Sequence, residues 1–286
     1  MIIAFGALGA ALLYALGYLE LKGSIHHGAT SKRVNIFSNY AMAAWSLPLV
    51  LLPFFFPKQF HFHPNWQAAL AAAMAGISLF IGRICTVKAL AKADLSISAP
   101  LLGAKTVLVA LFSILLLHTP IGWKLMGAAA LTVAALTLLQ AGPDQNRHHR
   151  RSAVGWALGA SILFALVDVL TQGYARTCGI AFFQPVMFVI LALMTPLLGS
   201  TPPAPLIAKK RLLIGGAVIG FQAPLVILLI GLFGEATLIN ILYSTRTIWS
   251  VGVDAWKGEG NAREFWLARL AGALLLMGAI VLALVK

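Results

Sequence analysis

Five ionisable residues stand inside apolar runs where hydrocarbon is expected: Glu20, Arg83, Lys105, Asp168 and Arg246. A charge at the centre of a membrane helix costs about 2.5–3.5 kcal/mol, so such residues usually face a bundle interior or a wet cavity. Lys105 is the sharpest case. It lies in the run Ala93–Leu117, ADLSISAPLLGAKTVLVALFSILLL. A helix starting near Leu95 places it about 15 Å in, close to a bilayer midplane. Arg246 offers a planar fork suited to carboxylate or phosphate, and Lys105 a point charge. Both are expected to hold substrate, against the plainer alternative of a structural ion pair. Arg83 either joins them or snorkels to the interface. Asp168 and Glu20 are the candidate proton carriers. Asp168 is equally suited to neutralise a cation, and Glu20, near a helix end, to reach water. Three cations less two acids leave an interior charge of +1, which favours a substrate carrying carboxylate or phosphate.

Polar and aromatic neighbours would complete such a site. Asn240, Tyr243 and Arg246 are spaced by three, so a helix presents them on one face. They form the best candidate cluster, against ordinary interhelical hydrogen bonding. Tyr14 lies one turn from Tyr18 on the first apolar run. Asn39, Trp45, Gln172 and Gln222 are further polar or aromatic groups within spans.

Other chemistries find little support. His26-His27, His61-x-His63 and His148-His149 fall in loops without neighbouring cysteines or clustered acids, so no metal site is expected. No phosphate loop, GxSxG elbow or HExxH occurs. No cofactor is expected, and the chain is not expected to be an enzyme. Its two cysteines, Cys85 and Cys178, exclude a disulfide framework.

The elements that must position these residues are transmembrane helices. The chain is 60% hydrophobic and 10% charged, where a soluble domain carries about 25% charged residues. Runs of some 20 apolar residues recur throughout, and the short alternating segments of a membrane barrel are missing. Ten spans are predicted: 2–21, 34–56, 66–91, 93–117, 121–141, 153–174, 180–198, 211–233, 236–256 and 265–285. Pro100 and Pro224 are candidate breaks or kinks. The pairs Gly155/Gly159 and Gly216/Gly220 should let helices approach closely. The net charge of +13 is scattered between apolar runs and forms no basic domain, so nucleic acid is not a partner.

The polar run GPDQNRHHRRS at 142–152 divides the chain into halves, 1–141 and 153–286, with five spans each. The halves look duplicated. GALGAALLYAL at 6–16 aligns with WALGASILFAL at 156–166. At a second offset Asp94 meets Glu235, Leu101 meets Leu242 and Lys105 meets Arg246. An odd number of spans per half makes the repeat inverted. The predicted fold is therefore all-α and integral to the membrane, with ten helices in two inverted five-helix repeats.

In its ten spans in two five-helix repeats and in ADLSISAPL, NILYSTRTIWSV and RLAGALLLMGAIVL, the chain resembles the EamA-type transporters of the drug/metabolite transporter superfamily. The resemblance covers nearly the whole chain. It implies a secondary transporter with a central cavity. The chain departs from the family pattern at Lys105, Arg246 and Glu20.

Basic residues fall fourteen against four on alternate sides of the predicted spans, which puts both termini outside. The family resemblance implies both inside. The function expected is secondary active transport of a small polar, anionic metabolite by alternating access, with protons as a candidate coupling ion. The alternatives are an exporter of amino acids or amphipathic drugs, and a membrane-embedded enzyme on lipid-linked substrates. The expected partners are a small-molecule substrate and membrane lipids. The expected location is a cell membrane, as a multi-pass protein of the bacterial inner membrane.

Overall fold

A computed structural model describes residues 1–57, 60–92, 105–139, 150–249 and 266–284. Among them every regular element is helical. In chain order they are α1 (Ile2–His26), α2 (Ser31–Ser46), α3 (Trp66–Lys92), α4 (Lys105–Leu117), α5 (Trp123–Leu139), α6 (Arg150–Cys178), α7 (Ile180–Met194), α8 (Leu206–Phe233), α9 (Ala236–Tyr243) and α10 (Trp266–Leu284). A 3-10 segment, Leu47–Leu51, and a last turn, Leu52–Phe55, extend α2. Six helices among the described residues are long and apolar enough to cross a membrane, and Lys105–Leu117, Trp123–Leu138 and Leu270–Leu284 are shorter apolar helices. Asp94, Pro100 and the rest of ADLSISAPL lie outside the described residues, as do 140–149 of the linker region. The last three linker residues, Arg150 to Ser152, are already helical.

Helix starts and stops follow local chemistry. Thr30 caps α2, its hydroxyl accepting from the Arg33 amide at 3.2 Å. Gly234 ends α8 in the left-handed conformation at φ 66°. Pro224 does not interrupt α8, which stays helical from Leu206 to Phe233. The expected break is therefore absent there. A break does occur in the ninth predicted span, without a proline. Helix α9 stops at Tyr243, residues 244–245 form a turn, and helical hydrogen bonding resumes at 246–249. The Ser244 hydroxyl bonds back to Asn240 O at 2.8 Å, and that of Thr245 to Leu242 O at 2.8 Å. Side chains that bond back to the preceding turn loosen a helix in this way.

The chain forms two compact units, each drawing on both sequence halves. The first comprises residues 1–80 and 170–234. Its centre is α8, which packs along α1 and α2. Glycines make this possible. A Cβ at Gly216 would collide with the Phe37 ring, and one at Gly220 would stand 2.5 Å from Ala41 Cβ. A Cβ at Gly215 would lie 2.8 Å from Gly17 O on α1. The predicted close approach at Gly216/Gly220 is thus observed. Gly155 has nothing within 4 Å, and Gly159 only Cys85 Sγ at 3.9 Å, so that pair serves no close approach among the described residues.

The second unit comprises residues 81–169 and 235–286. Its main packing is α5 along α10, with α4 against both α5 and α9. Small buried side chains, Ala128, Ala129, Ala135 and Ala279, line the α5 and α10 cores.

Candidate functional site

The second unit gathers three of the predicted polar residues on one carboxylate. Asp168, late in α6, is 2% exposed. Lys105 Nζ on α4 lies 2.7 Å from Asp168 Oδ2. Asn240 Nδ2 on α9 donates to the same oxygen at 2.6 Å. The second N–H of that amide donates to Ala236 O at 2.9 Å. Both neighbours are acceptors, so only this orientation of the Asn240 amide satisfies the contacts. Helices α4, α6 and α9, far apart in sequence, thus meet at one atom.

The arrangement surrounds Asp168 Oδ2 with donors. A buried carboxylate is costly when unpaired, because burial disfavours its charged form. Here a cation and an amide donor, both charge-assisted, offset that cost. The Lys105 side chain keeps 16% of its surface exposed against 3% for Asp168, so the lysine is the accessible member of the pair. An accessible ammonium of this kind suits a carboxylate or phosphate.

Tyr243 stands about one turn on from Asn240, and Arg246 follows it by three residues. The Arg246 guanidinium carbon lies 4.5 Å from the centroid of the Tyr243 ring, an arrangement for cation–π attraction. Tyr243 is 7% exposed. The three residues were expected on one face of a continuous helix; Tyr243 and Arg246 are in contact, and the turn at 244–245 interrupts the helix between them. Arg83 is half-buried on α3 in the same unit. Of the five ionisable residues singled out in the sequence, this unit holds three cations, Arg83, Lys105 and Arg246, and one acid, Asp168.

Tyr14 and Glu20 belong to the first unit. Tyr14 stacks on Tyr18, with centroids 5.8 Å apart and planes at 8°. Glu20 Oε2 is 4.0 Å from Arg211 Nη1, and both side chains are about a third exposed, at 30% and 34%. Glu20 therefore lies inside α1, which runs on to His26, beside a cation. Asn39, 1% exposed, donates to Thr195 Oγ1 at 3.0 Å. The sequence reading singled out Asn39 but not Thr195. A hydroxyl residue closing a span just before Pro196 was the available signal. His61 and His63 face the backbone of α6: His61 Nε2 is 3.0 Å from Arg176 O, and the His63 amide donates to Cys178 O at 2.9 Å. Among the described residues no three His, Cys, Asp or Glu side chains cluster as metal ligands.

Comparison with known proteins agrees with this architecture. Residues 1–140 match the EamA-like transporter family. A protein of known crystal structure shares the fold with a TM-score of 0.75, covering 98% of this chain and 97% of its own, at 15% identity. No curated protein sequence matches the chain. The family match over residues 1–140, just under half of the chain, is consistent with the drug/metabolite transporter superfamily, and the chain is a multi-pass membrane protein.

Proposed function

We propose that the protein is a secondary active transporter that moves a small anionic metabolite by alternating access. The observation that carries the reading is the buried Lys105–Asp168 pair latched by Asn240. An isolated structural pair would serve as well packed apolar, since buried ion pairs are poor stabilisers relative to hydrophobic residues. The excess of cations over acids among the residues singled out in the second unit, Arg83, Lys105 and Arg246 against Asp168, supports the anion preference.

The exchange couples naturally to protons. A substrate carboxylate or phosphate binds Lys105 and displaces Asp168. The released carboxylate is buried without its cation, so it takes a proton. Release of substrate restores the pair and expels the proton. One anionic charge and one proton then move together. Arg246, oriented by Tyr243, holds the second oxygen of the substrate, and Asn240 keeps Asp168 in place during the exchange. Tyr14 and Arg83 are proposed as further substrate contacts. Coupling belongs to Asp168 rather than Glu20, because Glu20 already faces both Arg211 and solvent.

Reconstituted protein tests this. Wild type should accumulate an anionic metabolite from a library when an inward proton gradient is imposed. Asp168→Asn should lose gradient-driven accumulation but keep substrate counterflow, since the amide oxygen can still meet Lys105. Transport restricted to lipophilic cations would sink the proposal, as would full gradient-driven accumulation by Asp168→Asn.

A further inference from the structure

We infer that one end of the first unit is a binding site for the headgroup of an anionic phospholipid. Three segments meet there: the end of α1, the start of α2, and the stretch 199–211 leading into α8. Lys32 Nζ donates to Ser200 O at 3.3 Å. Arg33 Nη1 donates to Pro202 O. A Cβ at Gly28 would lie 3.4 Å from the Pro205 ring, and one at Gly23 would meet the Arg211 guanidinium. Lys32, Lys209 and Lys210 are exposed at this end, and Glu20 is its one acid among the described residues.

A groove of about 480 Å³ opens between α2 and the 195–201 segment. Tyr40, Ser200 and Thr201 are hydroxyl-bearing residues of its lining, and Ile36 is an apolar one. Lys32 Nζ stands at its edge, 3.3 Å from where a Gly199 Cβ would lie. Hydroxyls and an ammonium around one concavity suit a phosphodiester, which carries one charge and several acceptor oxygens. Exposed Leu206 and Ile207, beside Lys209 and Lys210, present apolar surface to acyl chains.

The depth also fits a lipid. Helix α1 has 25 residues, about 37 Å, against a hydrocarbon core of about 30 Å. Its last turn and its neighbours therefore lie at headgroup level. Basic residues at that level recognise anionic lipids at about 1 kcal/mol each. The site is separate from the Lys105 cluster, so each proposal can fail alone.

The test is lipid retention by the purified full chain, read by native mass spectrometry with phosphatidylglycerol and phosphatidylcholine of matched chains. Wild type should retain phosphatidylglycerol preferentially. K32Q/R33Q should weaken that retention about thirtyfold, from two cations at about 1 kcal/mol each. I36W, which fills the groove without changing charge, should also release the lipid. It keeps the test open if the double variant misfolds. Equal retention of the two lipids by wild type would overturn the site. So would retention of phosphatidylglycerol unchanged in both variants, or protection from thermal unfolding by inorganic phosphate equal to that by the lipid.

Discussion

At the residue scale, Asp168 is the atom-level centre of the second unit, and its partners are not equivalent. Lys105→Ala leaves a buried carboxylate without its cation. That loss should cost about 3–5 kcal/mol. The double variant Lys105→Met/Asp168→Leu removes both charges and should be more stable than Lys105→Ala alone. Thermal unfolding of the purified variants checks the order. An additive pair of effects would show that the two side chains do not depend on each other. Asn240→Leu removes two donors from buried acceptors, Asp168 Oδ2 and Ala236 O, and should cost about 1–3 kcal/mol in the same assay. The residue types were legible in sequence: every member of this cluster stood out as polar within an apolar run. Their pairing was not. Lys105, Asp168 and Asn240 come from three helices, and no periodicity along one helix reports which others it meets.

At the element scale, glycine pairs that look alike in sequence behave differently. Gly220 has Ala41 Cβ 2.5 Å from its absent Cβ and Ala41 backbone carbon 2.9 Å away, so even Gly220→Ala must separate α2 from α8. The cost expected is about 1–3 kcal/mol, as for overpacking. Gly155→Ala meets nothing, and should be neutral or stabilise α6 by up to about 1 kcal/mol through helix propensity. Paired melting curves of the two variants decide this; destabilisation by both would contradict it. Apolar run length fixed most element positions correctly, because a span needs only length and hydrophobicity. Interruptions were harder to place. Proline at 224 sits where α8 tolerates it, while the Ser244–Thr245 turn arises from hydroxyls bonding back to the preceding turn. Serine and threonine occur in many unbroken helices, so the sequence carries no sharp mark for that break.

At the scale of the whole molecule, cations are distributed unevenly. In the first unit one end carries Lys32, Arg33, Lys209, Lys210 and Arg211, while Arg176, bonded to Phe233 O at 2.5 Å, marks the other. The positive-inside rule assigns the richer end to the cytoplasm and the chain termini outside. A C-terminal fusion to a reporter active only in the cytoplasm should therefore be silent, and the same reporter inserted at 202–204 of a tolerant variant should be active. The reverse pattern would invert the topology. The compact units could not be read from sequence. The linker suggested a division near residue 142, whereas each unit is closed by helices from both halves. Contacts between distant helices decide that grouping, and hydropathy is blind to them.

The ion pair also constrains how the chain is made. Lys105 and Asp168 are 63 residues apart. At about 5–20 residues per second, synthesis separates their emergence by roughly 3–13 s. During that interval the span carries the Lys105 ammonium without Asp168, which disfavours its insertion by up to about 2.5–3.5 kcal/mol. Helix α4 should then wait at the translocon or at the membrane surface, and commit to the bilayer only as α6 arrives. Nascent chains arrested before residue 150 should leave α4 extractable by alkali, and Lys105→Leu should abolish the delay.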